Sequence, residues 1–136
     1  MSLLWSACAE DVMLPESKPL LRVESISPDA ISEFENEVTL ILYYEDGDGD
    51  LGSEDPDEAV LYVQDSRLDQ ADEYHVQPLA PLDSNIPIQG TLAIKLNPFF
   101  LLGNGTEETI SLTVSIRDRA GNLSEPVEAP SIKVSR

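Results

Sequence analysis

Apolar and polar residues alternate with a period of two along several stretches of this chain. Between Ile110 and Ile116 every second residue is apolar, and the intervening residues are Ser, Thr and Ser. Thr91–Leu96 alternates in the same way, and Val38–Tyr44 carries an unbroken apolar face. Because successive side chains of a strand point to opposite faces of a sheet, this period predicts strands with one buried face.

Four further segments are predicted to be strands on weaker patterns. Ala59–Gln64 is apolar on both faces, which suits a central strand, and Leu20–Ile26 lies near the start of the patterned region. Val127–Val134 is flanked and interrupted by proline, which suits an edge strand. A short strand is expected around Tyr74–Val76. The only helical signal is a single turn at Ser27–Asp29, with Ser as the cap and Pro at the first position.

Short strands separated by Gly-rich and Pro-rich turns predict an all-β fold. For one domain of this size the expected arrangement is an immunoglobulin-like (Ig-like) β-sandwich of about seven antiparallel strands. The disulfide of antibody domains is excluded because the chain has one Cys. We expect the sandwich domain to span residues 19–136.

Acidic residues dominate the charge of the chain. Among 136 residues there are 26 acids and 8 bases, which give a formal net charge of -18. Such a surface repels phosphate backbones and anionic lipid headgroups, so a nucleic-acid partner is excluded. One Cys and one His also exclude thiolate zinc clusters and His-rich metal sites.

Residues 1–18 are predicted to be a truncated lipoprotein leader and flexible tether. Met1–Ala7 is a short apolar run that ends in a small residue directly before Cys8. This order is typical of bacterial lipoprotein signals, in which the Cys thiol carries the lipid. We therefore expect lipidation at Cys8, membrane attachment only through that anchor, and a location in the bacterial cell envelope, at the outer membrane or cell surface. The alternative is an apolar N-terminal segment with a lone thiol.

Two segments together resemble a known family. Tyr44–Gly52 reads Tyr-Glu-Asp-Gly-Asp-Gly-Asp-Leu-Gly and follows the second predicted strand. Arg117–Ser124 reads Arg-Asp-Arg-Ala-Gly-Asn-Leu-Ser and links the last two. The pair resembles small Ig-like surface lipoproteins of Bacteroidetes-type bacteria. The resemblance implies an Ig-like fold and an envelope location, and it implies no particular activity.

The segment after the second predicted strand has the composition of a calcium loop. Asp46, Asp48 and Asp50 alternate with Gly47 and Gly49. Calcium prefers hard oxygen ligands, and alternate carboxylates in a tight loop can point to one centre. The glycines allow the backbone to curl enough for this arrangement. The spacing therefore predicts a calcium site formed by the three acids.

A fourth ligand is expected from a distant part of the chain. In an Ig-like sandwich the loop after the second strand and the loop before the last strand lie at the same end, which brings Asp118 close to the acidic loop. Three acids nearer in sequence are equally suited: Glu54, Asp55 and Asp57. The alternative is a solvated turn without metal, because Asp-Gly pairs favour tight turns, or neutralisation of the acids by Arg119 or Arg67.

The sequence favours a non-catalytic Ig-like module of an envelope lipoprotein, with a binding, adhesion or accessory role and calcium as a structural pin. Its partner would be a protein or a glycan. Phe99–Leu102 is expected to close one end of the core, and the alternative is an exposed docking patch. Two other functions are a small carboxylate-dependent hydrolase and an accessory subunit of a glycan-capture or secretion complex. The hydrolase is disfavoured because no nucleophile motif is present and the one His stands beside neither Ser nor Cys.

Overall fold

The computed structural model describes residues 18–83 and 85–136, and these contain ten β-strands and no helix. In chain order the strands are β1 (Leu20–Ser27), β2 (Ala30–Ser32), β3 (Thr39–Asp46), β4 (Leu61–Asp65), β5 (Asp72–Tyr74), β6 (Ile88–Lys95), β7 (Glu107–Ile110), β8 (Leu112–Ile116), β9 (Val127–Glu128) and β10 (Ile132–Ser135). The predicted all-β class is confirmed. Nothing helical of membrane-spanning length and hydrophobicity occurs in this part of the chain. The predicted lipidation site Cys8 and the rest of the leader up to residue 17 lie outside the described residues.

The strands pair into three sheets. The first has the order β1-β3-β6 and is antiparallel throughout. The second has the order β5-β4-β8-β9 and is also antiparallel. In the third, β2-β10-β7, the central strand β10 runs antiparallel to β7 and parallel to β2. The fold is therefore built mainly from antiparallel neighbours, with one parallel pair.

Each predicted strand segment overlaps an observed strand, but the one expected around Tyr74–Val76 shares only Tyr74 with β5, and two of the others are interrupted. The chain changes partner at Ser111, because β7 pairs with β10 whereas β8 pairs with β4 and β9. Here the Ser111 carbonyl accepts the N–H of Ser66 at 2.9 Å, and its own N–H donates to the Ser66 hydroxyl at 3.1 Å. Pro130 separates β9 from β10, since proline has no N–H to donate to a ladder.

The helical turn predicted at Ser27–Asp29 is wrong. β1 continues to Ser27, and β2 begins at Ala30. The Asp29 carbonyl accepts the N–H of Lys133 at 2.8 Å, and Ile31 is buried beside β10. Pairing with a distant strand thus overrides a weak local signal at this position.

Alternation directs one face of each long strand into a common core. Leu40 and Leu42 of β3 and Val114 and Ile116 of β8 are fully buried, and residues of all three sheets join the same apolar cluster. Leu51, in the loop after β3, is also fully buried. Burial of one such side chain stabilises the fold by roughly 1.5–3 kcal/mol. The acidic loop is therefore anchored to the core.

The apolar run Phe99–Leu102 divides between the core and the surface. Phe99 is buried, and Leu101 packs partly buried against the core cluster, as predicted for a segment that closes one end. Phe100 is 41% exposed and stacks on the exposed ring of Phe34, with ring centroids 5.3 Å apart. Half of the run is therefore buried as a segment that closes the core, and the other half, Phe100 and Leu102, is exposed.

Candidate metal centre

The loop between β3 and β4 and the hairpin after β8 meet at one end of the protein. Leu51 and Asp118 form an isolated antiparallel bridge between them. The Arg119 N–H donates to the Asp50 carbonyl at 3.0 Å, and the Arg119 guanidinium donates to the carbonyls of Leu51 and Gly52 at 3.3 and 2.9 Å. These bonds fix the two loops relative to each other, and so fix the acids that they carry.

Three carboxylates converge where the loops meet. Asp46 ends β3, Asp50 lies in the following loop, and Asp118 follows β8; each places one carboxylate oxygen within 4.8 Å of the other two. Asp46 and Asp118 are 3% and 1% exposed, and Asp50 is half-buried. Negative charges this close and this buried repel one another strongly. The cluster is therefore unfavourable unless a cation or protons neutralise it.

Two oxygens of the cluster are buried without a hydrogen-bond donor. Asp46 Oδ2 accepts the N–H of Asp50 at 2.8 Å. Asp118 is satisfied by Asn122, whose backbone N–H donates to Oδ1 at 2.7 Å and whose amide donates to Oδ2 at 3.2 Å. Among the described residues nothing donates to Asp46 Oδ1 or Asp50 Oδ1. Because an unsatisfied buried acceptor costs about 1–3 kcal/mol, and more when charged, these two oxygens are open positions for a cation.

The electrostatics of Asp46 reflect this crowding. Burial raises the pKa of Asp46 from its ordinary value of 3.8 to about 7, and the neighbouring Asp50 and Asp118 carboxylates act in the same direction. The Asp50 N–H opposes the shift by donating to the ionised form. Without a metal, Asp46 therefore carries a proton over much of the range in which an isolated Asp is ionised.

Two glycines with positive φ give the loop its shape. Gly49 has a φ of 69° and Gly52 a φ of 91°. A Cβ on Gly49 would lie 2.4 Å from the Ile86 carbonyl oxygen, and a Cβ on Gly52 would lie 2.1 Å from that of Gln77. No larger residue fits either position without displacing backbone. Of the two glycines named from the sequence, Gly49 has this role, and Gly52 rather than Gly47 is the second.

The four acids predicted as ligands do not all lie in the cluster. Asp46, Asp50 and Asp118 are together, whereas Asp48 is exposed and is not among the grouped carboxylates. Three acids considered as alternatives to Asp118 are also exposed: Glu54, Asp55 and Asp57. The strand explains the position of Asp46, since alternate residues of β3 are buried up to Asp46, where the strand ends.

The two arginines considered as internal counter-ions have other partners. Arg119 donates to backbone carbonyls, as described above. Arg67 lies with Asp65 and Glu108, to which its guanidinium donates at 2.8 and 2.6 Å. The motif Asp118-x-x-Gly121-Asn122 is typical of a turn in which the Asp side chain accepts backbone N–H groups, and the N–H of Asn122 does donate to Asp118 Oδ1.

The arrangement of Asp46, Asp50 and Asp118 could hold a metal ion, since three carboxylate oxygens face one small volume. The donor set is all oxygen, which suits hard divalent cations. Comparison with known proteins adds no identification: no protein-family model, no curated protein and no solved structure was found to match the chain.

Proposed function

We propose that this chain is a non-catalytic Ig-like module whose two end loops are held together by a calcium ion. The ion would be bound by Asp46, Asp50 and Asp118. The observation that carries the proposal is the pair of buried, partnerless oxygens Asp46 Oδ1 and Asp50 Oδ1. A cation at this point replaces mutual repulsion by attraction, and calcium accepts carboxylate, carbonyl and water oxygens in a flexible geometry.

The strand order supports the Ig-like part of the proposal. β1, β3 and β6 are neighbours in the way that strands A, B and E are in Ig-like domains. β4, β8 and β9 correspond in the same way to strands C, F and G of the opposite layer. Residues of every sheet share one core, as two layers packed face to face require.

Burial of the cluster supports a structural rather than a catalytic role. Asp46 and Asp118 are almost inaccessible to solvent. An acid-base pair that acts on a substrate must be within hydrogen-bond reach of it. Carboxylates closed off in this way suit a bound ion better than a substrate.

In this proposal the domain belongs to a bacterial envelope lipoprotein tethered through Cys8. The support for this part is the small residue directly before Cys8 and the apolar run that precedes it. The bound ion would order the acidic loops, and the loops or sheet faces would meet a protein or glycan partner outside the cell membrane.

Unfolding with and without calcium tests the proposal. At calcium concentrations about 100 times the Kd, the free energy of unfolding rises by about 2.7 kcal/mol and the melting temperature rises with it. Asp50→Asn abolishes the rise because it removes a carboxylate of the cluster. Asp48→Asn makes the same chemical change two residues earlier at an exposed side chain, and it leaves the rise intact. A melting temperature that ignores calcium, or an equal loss in both variants, contradicts the proposal.

A further inference from the structure

Strand β6 lies in a long acid-free stretch of an otherwise acidic chain. The sequence has no Asp or Glu between Asp83 and Glu107, although the net charge is -18. Lys95, at the end of β6, is the only charged residue in that stretch. This strand is therefore a place where another acidic molecule can approach with little local repulsion.

One edge of β6 has no strand beside it. Among the described strands β6 pairs only with β3. The Leu96 N–H donates to the Val38 carbonyl at 2.9 Å, one position beyond the paired residues Thr39 and Lys95. Because bonded and non-bonded pairs alternate in an antiparallel ladder, every second residue of β6 turns its N–H and C=O away from β3. The outward-pointing residues are Gln89, Thr91, Ala93 and Lys95, and their side chains are exposed.

The edge of β6 lacks the features that protect other edges of these sheets. β1 has a bulge between Val23 and Ser25. β5 is three residues long and begins with two acids, and β9 is two residues long. β6 has eight residues in unbroken register with β3, and it contains neither proline nor an acid. Its one charged residue, Lys95, is at its last position, so the rest of β6 is a long, regular, uncharged edge of the kind that pairs with another strand.

We propose that β6 pairs antiparallel with β6 of a second copy of this chain, about a two-fold axis at Leu92. In this register Thr91 lies opposite Ala93 of the second copy, and Gln89 lies opposite Lys95. All the outward N–H and C=O groups of these four residues then have partners. The sheet continues across the interface as β1-β3-β6-β6-β3-β1, and the interface is self-complementary.

Charge favours a second copy as the occupant of this edge. Two molecules of charge -18 repel, so their association is least opposed at a strand that carries no acids of its own. In the proposed register Lys95 lies opposite Gln89 of the second copy. Within each copy, Gln89 is the register partner of Glu45 on the neighbouring strand β3. Each end of the interface therefore brings Lys95 of one copy, which lies 3.9 Å from Glu37 of its own chain, towards Glu45 of the other copy.

Sedimentation equilibrium of the full chain tests the pairing. The experiment is done with a reductant, so that Cys8 cannot link two molecules, and with a chelator, so that its result is independent of the metal site. We expect a monomer–dimer equilibrium whose association constant rises with salt. The reason is that the Debye length falls from about 10 Å at 0.1 M to about 3 Å at 1 M and screens the repulsion between copies. A monomer at every salt concentration overturns the proposal.

Matched variants locate the interface. Ala93→Glu introduces an acid at the pairing edge and lowers the association constant by about tenfold or more, since the introduced carboxylate of each copy then lies opposite Thr91 of the other and the two carboxylates are diagonal neighbours across the strands. Thr109→Glu makes the same charge change at an exposed position of β7 and leaves association unchanged. Thr91→Pro removes an outward N–H without breaking the β3 ladder, so it also abolishes pairing while the circular-dichroism spectrum and the melt stay those of a folded domain. Equal effects of the two Glu variants, or normal association of Thr91→Pro, contradict the register.

Discussion

Two groups of carboxylates lie at opposite ends of β8, and only one of them includes its own cation. Asp65 is paired in register with Leu112 at the start of β8. There the Arg67 guanidinium donates to Asp65 and Glu108 and also to the Phe100 carbonyl. These groups are largely buried, and the charges are balanced within the chain.

At the other end of β8 the cluster of Asp46, Asp50 and Asp118 contains three acids. The nearby Arg119 donates instead to backbone carbonyls. The pKa values differ accordingly: burial raises that of Asp46, whereas hydrogen bonds from the Gly103 and Leu102 N–H groups and from Arg67 lower that of Glu108. One cluster therefore has its counter-ion when the chain folds, and the other has none within the described residues, which is the basis of the proposed cation site.

The largest effect is expected when the internal cation is removed. Arg67→Met leaves the buried Asp65 without its counter-ion, and the free energy of unfolding falls by about 3 kcal/mol, the lower end of the range for breaking a buried ion pair. Denaturant unfolding measures the loss. Lys133→Met is the matched control, because Lys133 pairs with Glu107 at 3.7 Å on the exposed surface, and its loss costs about 0–1 kcal/mol. Similar losses in the two variants would remove the distinction between a buried and a surface ion pair.

Removing calcium is expected to have the next largest effect. At about 100 times the Kd, the ion contributes about 2.7 kcal/mol, which a chelator abolishes. A chelator should lower the free energy of unfolding of the Arg67→Met variant by the same amount as that of the wild-type protein. The reason is that the two clusters lie at opposite ends of β8 and share no partner. Unfolding of both proteins with and without calcium gives the coupling between the sites. A coupling well above about 0.5 kcal/mol would show that the two clusters are not independent.

The period-two pattern was sufficient to locate the strands, because burial of one face is a local property of the sequence. It was not sufficient for partner changes, such as the one at Ser111, which depend on a hydrogen bond to Ser66 far along the chain. The burial of Asp46 was missed, although the local pattern contains it. The predicted strand ended at Tyr44; extended by two residues, the same alternation places Asp46 on the buried face and leaves Asp48 beyond the strand.

The pairing of Arg67 with Glu108 could not be read from the sequence. The two residues are 41 positions apart, with Arg67 in the loop after β4 and Glu108 in β7 of another sheet, and no local pattern links them. By contrast, the approach of Asp118 to the acidic loop could be expected once an Ig-like strand order was assumed. Long-range contacts can thus be predicted only where an assumed fold type specifies which strands and loops are neighbours.

Asp46→Asn is expected to change the free energy of unfolding by a smaller amount, upwards in the metal-free protein and downwards in the presence of calcium. Without metal and at a pH above about 7, where Asp46 is ionised, the amide removes one buried charge and can donate to the partnerless Asp50 Oδ1, so the free energy of unfolding rises by about 1 kcal/mol. With calcium, the variant is less stable than the wild-type protein, because a ligand has been lost. Asp48→Asn serves as the control and changes neither value. A variant that is destabilised in both conditions would mean that Asp46 is not an unfavourable charge in the metal-free protein.

The pH dependence of stability separates the two clusters most finely. In the metal-free protein the pKa of Asp46 is raised from 3.8 to about 7, so its contribution is complete below pH 3.8 and is lost as the pH rises through about 7. The pKa of Glu108 is lowered from 4.5, so its contribution is present above pH 4.5 and is lost as the pH falls below that value. Asp46→Asn should therefore remove the fall in stability between pH 3.8 and about 7 and leave the rest of the profile unchanged. Glu108→Gln should remove only the fall in stability below pH 4.5. Denaturant unfolding across this pH range checks both slopes, and a profile that either variant shifts without a change of slope would assign the titration to other groups.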